Sequence, residues 1–252
     1  YEREKELGGY FMELGGWERA HGYAANEHLL EKYGNRVPVR ENEWDNRHFW
    51  RVSNAEHLAM SEDCGIVNLS HFYMFEVSGP DHVALMEWLC AAKIGGDNNI
   101  GKGIYTHFLD DGGMVRADLT VFRMADRCRV VDGADAGPRD FHYVKRVAED
   151  KGFDVTITDV TEDYVTIGCW GPNARVTLQK VVEDPQGLAP ENFPFAAIRT
   201  IRIAGKEVMA FRISYVGEQG WELHMRYEDG LAVWDALRST GVMAFGVETY
   251  AN

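Results

Sequence analysis

The chain has 252 residues, 45% apolar and 12% aromatic, which is enough length and hydrophobicity to bury a sizeable core and argues against disorder. Its 40 acidic residues against 26 basic ones give a net charge of −14. Such a surface repels phosphate backbones and anionic headgroups and argues against nucleic acid or a membrane surface as partner.

In chain order, Leu7, Tyr10, Phe11 and Leu14 predict a helix within residues 1–14, ended by Gly15-Gly16. The acidic and basic opening Tyr1-Glu2-Arg3-Glu4-Lys5-Glu6 is no secretory signal, and no apolar run approaches the length of a bilayer span. The stretch from Gly16 to Trp50 is dense in Trp, Tyr, His and Arg without sustained periodicity, and is expected to wrap the core as irregular structure. Ser53 and Glu56 form a capping box for a helix whose apolar face carries Ala55, Leu58 and Ala59, stopped by Gly65. Residues 1–65 thus read as an N-terminal covering segment, and residues 66–72 and 73–77 read as strand.

The organising feature is a repeat. Phe75-Glu76-Val77-Ser78-Gly79-Pro80-Asp81 leads into a helix with Val83, Leu85, Met86 and Leu89. Val165-Thr166-Ile167-Gly168-Cys169-Trp170-Gly171-Pro172-Asn173 leads into one with Val176, Leu178 and Val181. Each is a strand, a Gly-Pro turn, an Asp or Asn placed to cap, and an amphipathic helix. A hairpin follows each helix, spanning 104–131 and 199–225, and a further helix follows each hairpin, near 138–149 and 229–238. Residues 154–160 add a last strand to the first unit. The expected fold is α+β, two duplicated ferredoxin-like βαββαβ units over residues 66–160 and 161–252, with a ligand cleft between the halves.

Each hairpin presents one carboxylate among aromatics. In Met114 to Met124 the alternation puts Val115, Ala117, Leu119 and Val121 on one face and Arg116, Asp118, Thr120 and Phe122 on the other. Asp118 is either a solvated strand residue, paired with Arg116 or at an exposed edge, or a carboxylate tuned by a partly apolar pocket. In the second hairpin a run to Val216 turns tightly at Gly217-Glu218-Gln219-Gly220 and returns with Trp221, Leu223 and Met225 on one face and Glu222 and His224 on the other. Glu222 admits the same two readings.

Cys64, Cys90, Cys128 and Cys169 lie far apart in sequence, with no Cys-x-x-Cys pair, and read as small buried hydrophobes in a reducing compartment. The 9 histidines have no metal-ligand spacing. No metal site, phosphate loop or dinucleotide fingerprint is expected in the chain.

The run Tyr215-Val216-Gly217-Glu218-Gln219-Gly220-Trp221-Glu222, with Gly112-Gly113 ahead of Asp118-Leu119 and Leu69-Ser70-His71 upstream, resembles the tetrahydrofolate-binding aminomethyltransferases, which include the T-protein of the glycine cleavage system. Tyr1-Glu2-Arg3 and Gly16-Trp17-Glu18-Arg19 are closer to one branch, the folate half of dimethylglycine and sarcosine dehydrogenases and oxidases. Residue by residue, the resemblance implies that Asp118 is the catalytic aspartate near the reactive folate nitrogens. It implies that Glu222 binds the pterin's exocyclic amine and ring NH, and that Tyr105, Tyr215 and Phe72 line the pterin pocket. The implied activity is tetrahydrofolate-dependent one-carbon transfer from an N-methylated amine of the dimethylglycine or sarcosine type. The alternative on the same fold is a flavin-independent demethylase moving an intact methyl from S, O or N to tetrahydrofolate, and a non-enzymatic folate-binding protein stays open as well. FAD is expected only in a separate or upstream flavoprotein domain or subunit. The implied location is cytoplasmic, or the mitochondrial matrix in a eukaryote. Ala117 and Phe122, where relatives have Asp and Tyr, point toward the demethylating branch; Asn68 also departs from the usual Asp. Relatives continue past Asn252 into an arginine-bearing helix and a small β-barrel, so that barrel and the arginine for the folate's glutamate tail are expected beyond this chain.

Overall fold

The computed structural model describes residues 1–39, 41–42 and 49–251. The chain opens with a short helix α1 (Glu2–Glu6) and a hairpin of β1 (Gly9–Leu14) and β2 (Trp17–Tyr23), where a helix within 1–14 and irregular wrapping were expected. The apolar spacing fits a helix, but Gly15 and Gly16, at φ +63° and +84° between the paired Leu14 and Trp17, make a two-residue reversal that only a hairpin uses. Short α2 (Leu29–Tyr33) follows; the rest of the expected irregular stretch lies partly outside the described residues.

Helix α3 (Trp50–Glu62) begins before the expected capping box, so Ser53 and Glu56 lie inside it. Glu56 is fully buried and accepts from the Tyr23 and Gly246 amides, the Asn26 amide nitrogen and the Thr249 hydroxyl, at 2.7–3.1 Å. It ties the hairpin to the C-terminal segment and caps nothing.

Strands β3 (Gly65–Asn68) and β4 (Tyr73–Ser78) precede α4 (His82–Leu89). The meander β5 (Lys102–Leu109), β6 (Val115–Arg123) and β7 (Arg127–Asp132) leads to α5 (Gly137–Lys151) and β8 (Thr156–Asp159). The second round runs β9 (Tyr164–Trp170), α6 (Ala174–Gln179), β10 (Ile198–Ile203), β11 (Lys206–Phe211), β12 (Gly220–Arg226) and α7 (Gly230–Ser239), then β13 (Met243–Ala244) and α8 (Glu248–Ala251). The sheets are ordered β5-β6-β7-β4-β8 and β10-β11-β12-β9-β3-β13. Within the first, β8-β4-β7-β6 is the ferredoxin-like arrangement, with β5 added at the edge; β11, β12 and β9 repeat it in the second.

One strand departs from the linear division. Although β3 lies at the start of residues 66–160, it pairs with β9 in the second sheet, where β8 stands in the first. The two Gly-Pro turns show the equivalence: Gly79 and Gly171 adopt φ +107° and +134°, closed to L side chains. Asp81 N–H donates to the Asp154 carbonyl just ahead of β8, as Asn173 N–H does to the Asp63 carbonyl just ahead of β3. Asp81 and Asn173 therefore do not cap with their side chains, which reach Asp154 N–H and the Asp63 carboxylate instead.

The sheets stack face to face with helices outside. Leu85, Met86, Leu89, Val144 and Ala148 cover the first sheet, and Leu178, Val233, Trp234 and Leu237 the second. Between the sheets lie Met74, Phe122, Val131, Val160 and Phe211. Cys64 and Cys169, remote in sequence, come to 3.7 Å as free thiols.

Candidate active site between the two sheets

Above that apolar layer opens a cavity of about 430 Å³. Its walls include Asp118 and Tyr105 from the first sheet, Glu222 and Phe211 from the second, Tyr215 from the loop before β12, and Phe72 from the β3–β4 connection. The structure thus brings Phe72, Tyr105, Asp118, Tyr215 and Glu222 to one space.

Their environments differ. Asp118 is exposed at the mouth, not buried, and accepts a hydrogen bond from the Tyr105 hydroxyl at 2.9 Å. In register Tyr105 faces Thr120 and His107 faces Asp118, so the phenol reaches across the diagonal of the ladder. That bond raises the Tyr105 phenol above its ordinary pKa. Arg116 does not pair with Asp118; its guanidinium lies 4.2 Å over the Tyr143 ring.

Glu222 is the deep acid, 4% exposed, on a strand paired to both β11 and β9. His224, two residues on, points to the same side and is fully buried. Its Nδ1 lies 2.9 Å from Thr166 Oγ1 and its Nε2 3.3 Å from Glu222 Oε2. Burial lowers the imidazole pKa, against the pull of Glu222. A neutral ring with one proton then carries it on Nε2, toward the carboxylate, and Nδ1 accepts from the Thr166 hydroxyl. Glu222 Oε1 makes no hydrogen bond among the described residues.

Tyr215 is not on a strand. The expected tight reversal is instead an open loop over residues 212–219, because β11 ends at Phe211 and only three residues pair with β12. Ser214 Oγ accepts from Val216 N–H at 3.1 Å, a side-chain turn that presents Tyr215 between the cavity and the Trp170 and Tyr250 rings.

Asp132 borders one end of the cavity and had no signal in the sequence. Its side chain leaves β7 on the side of Cys128 and Val130, toward α5, where Oδ1 accepts from Gly133 N–H at 2.7 Å. Burial raises this carboxyl to about 7, with neighbouring Asp140 adding to the rise. Asp140, fully buried, is itself held by Arg139 through two bonds of 2.9 Å. His224 and Thr166 were also missed, although strand alternation places His224 beside Glu222. Phe211, Ile213 and Ser214 enter the wall only because the two sheets dock.

Among the described residues no group of three or more His, Cys, Asp or Glu side chains could hold a metal ion, and no helix is long and apolar enough to cross a membrane.

The chain is 30% identical over 227 residues to mitochondrial dimethylglycine dehydrogenase of Rattus norvegicus, covering 90% of this chain and 25% of that protein. It is 31% identical over 242 residues to 4-methylaminobutanoate oxidase (formaldehyde-forming) of Paenarthrobacter nicotinovorans, covering 96% and 28%. The chain therefore spans about a quarter of the length of these relatives. The crystal structure of glycine cleavage system aminomethyltransferase T from Bartonella henselae superposes with a TM-score of 0.75 at 20% identity, over 99% of this chain and 59% of that one, and shares its fold. The model of the GCVT N-terminal domain matches residues 1–251, and the chain belongs to that family.

Proposed function

We propose that this chain holds a reduced folate in the cavity between its sheets and promotes transfer of a one-carbon unit to it from an N-methylated amine. The observation that carries this is the pairing of two acids from different sheets, Asp118 at the mouth and Glu222 in the depth, on one cavity walled by Tyr105, Tyr215 and Phe72. The cavity's volume falls in the range of small-molecule sites. Glu222 Oε1, without a donor among the described residues, suits the adjacent N–H donors on the edge of a pterin. Bound tetrahydrofolate supplies the nucleophilic nitrogen that takes up the one-carbon unit.

The protein's own part is binding, orientation and proton handling. Glu222, held by His224, which Thr166 holds in turn, fixes the ring edge, while Tyr215, Tyr105 and Phe72 supply flat apolar contact. Tyr105 orients Asp118 through Oδ2 and leaves Oδ1 to face the reacting centre. There the carboxylate stabilises the positive charge of an iminium-like donor and takes up the proton lost by the attacking nitrogen. A flavoprotein domain or subunit that oxidises the amine is the partner this chemistry requires. We place the protein in a reducing compartment, the cytoplasm or a mitochondrial matrix.

The test is Asp118→Asn in the full protein carrying this chain. Folate-dependent turnover should fall about 10²-fold or more, with little change in folate Kd. Unchanged turnover, or a loss confined to folate binding, would overturn the assignment.

A further inference from the structure

A second, smaller cavity of about 190 Å³ shares Phe72, Gly133 and Tyr215 with the main one. Its walls gather three donors that lack acceptors among the described residues. Arg19, on β2, forms no ion pair among the described residues, and its Nε is buried without a hydrogen-bond partner. His71 is 6% exposed, and neither ring nitrogen makes a hydrogen bond among the described residues. The Tyr250 hydroxyl is likewise unbonded there, its ring resting on Trp170 and Tyr215. One carboxylate lines the same space, that of Asp135, but its Oδ1 is engaged by Ala136 N–H at 3.0 Å and it does not pair with Arg19.

An unpaired guanidinium with a buried N–H is costly unless something supplies oxygen acceptors. Its planar fork fits a carboxylate, which accepts two parallel N–H bonds and has lone pairs left for an imidazole N–H and a phenol. Burial, with the charge of Arg19 adding to it, pushes His71 down to about 3, so the ring is neutral and offers one donor without a second positive charge. The cavity's volume equals roughly six water molecules, room for a carboxylate and a few further atoms.

We propose that Arg19, His71 and Tyr250 form a carboxylate-binding subsite for a ligand whose reacting part lies in the main cavity. This rests on the folate reading. The carboxylate belongs either to the glutamate tail of the folate or to an amino-acid-type donor amine, and binding measurements separate the two.

The experiment compares wild type, Arg19→Gln and Tyr250→Phe in the full protein, titrated with four probes. These are tetrahydrofolate, a methyl-tetrahydropterin without the benzoylglutamate tail, dimethylglycine, and dimethylethylamine without a carboxylate. Arg19→Gln should weaken one carboxylate-bearing probe about 10- to 100-fold, the scale of a charge-assisted pair, and leave its carboxylate-free counterpart unchanged. Tyr250→Phe should weaken the same probe less, and it carries the test if Arg19→Gln does not fold. Loss confined to tetrahydrofolate assigns the tail; loss confined to dimethylglycine assigns the donor. Equal losses with and without the carboxylate, no loss at all, or no wild-type binding of either carboxylate probe would overturn the subsite. Wild-type failure to bind the tetrahydropterin, with dimethylglycine still sensitive to Arg19, would overturn the folate reading and keep the subsite.

Discussion

The imidazole Nε2 of His224 lies 3.3 Å from Glu222 Oε2, behind the carboxylate as seen from the cavity it shares with Asp118. Glu222 is therefore oriented from below by a buried ring that Thr166 fixes in turn at 2.9 Å. Glu222→Ala should raise folate Kd about 10- to 100-fold with a modest effect on the rate at saturation. His224→Phe keeps the ring volume but removes the N–H, and should weaken binding in the same direction by a smaller factor. Calorimetry on both variants checks this; a His224→Phe protein that binds as wild type would show that the chain of contacts is only structural.

Two opposed pH effects follow from the buried titratable groups. His71 and His224 have pKa values below the ordinary range, so the unfolded chain binds their protons first and stability falls as pH drops below about 6.5. Asp132 is raised to about 7. Its contribution is present in full below the ordinary carboxylate pKa and is lost as pH rises toward 7, at up to about 1.4 kcal/mol per unit. Asp132→Asn should therefore flatten the loss of stability between about pH 4 and 7, and His71→Gln should flatten the acid limb. Urea midpoints across that range read both slopes, and unchanged slopes would refute them.

Glu56→Ala should destabilise the fold by about 3 kcal/mol or more, because four buried donors lose their acceptor at once. Glu56→Gln, which keeps one acceptor oxygen, should cost less. Denaturation of the two variants settles the order.

Gly103→Ala tests how closely the halves approach. A Cβ there would overlap the Phe211 ring, and Gly103 N–H also donates to the Ala196 carbonyl at 2.9 Å, so the backbone cannot retreat. Phe211 lines the main cavity and stacks edge-on with Phe122 at 4.9 Å. The variant should lose about 1–3 kcal/mol, the scale of an overpacked core, and bind folate more weakly. A variant as stable and as tight as wild type would contradict that contact.

The duplication and the shared cavity were legible because they depend on local signals. Gly79-Pro80 and Gly171-Pro172 mark equivalent turns, and alternation along β6 and β12 puts Asp118 and Glu222 on faces opposite the helix-covered core. Alternation gives a face but not a depth, so it does not reveal that Asp118 is exposed while Glu222 is buried. Leu7, Tyr10, Phe11 and Leu14 suit a helix as well as a strand, and only the glycine pair beyond them decides. Ser53 and Glu56 have the spacing of a cap, yet Glu56 serves four donors, two of them near the far end of the chain. Arg19, His71 and Tyr250 meet only through tertiary packing, which no short stretch encodes.

The placement of β3 has a kinetic consequence. Synthesised ahead of the whole first sheet, it finds its partner only when β9 appears after β8, so its pairing spans the intervening unit. Such long-range closure slows folding. A cut between β8 and β9 separates β3 from the sheet it completes, so the halves of this duplicated chain are not interchangeable modules, and only a break ahead of β3 or after β13 leaves that sheet whole within one fragment.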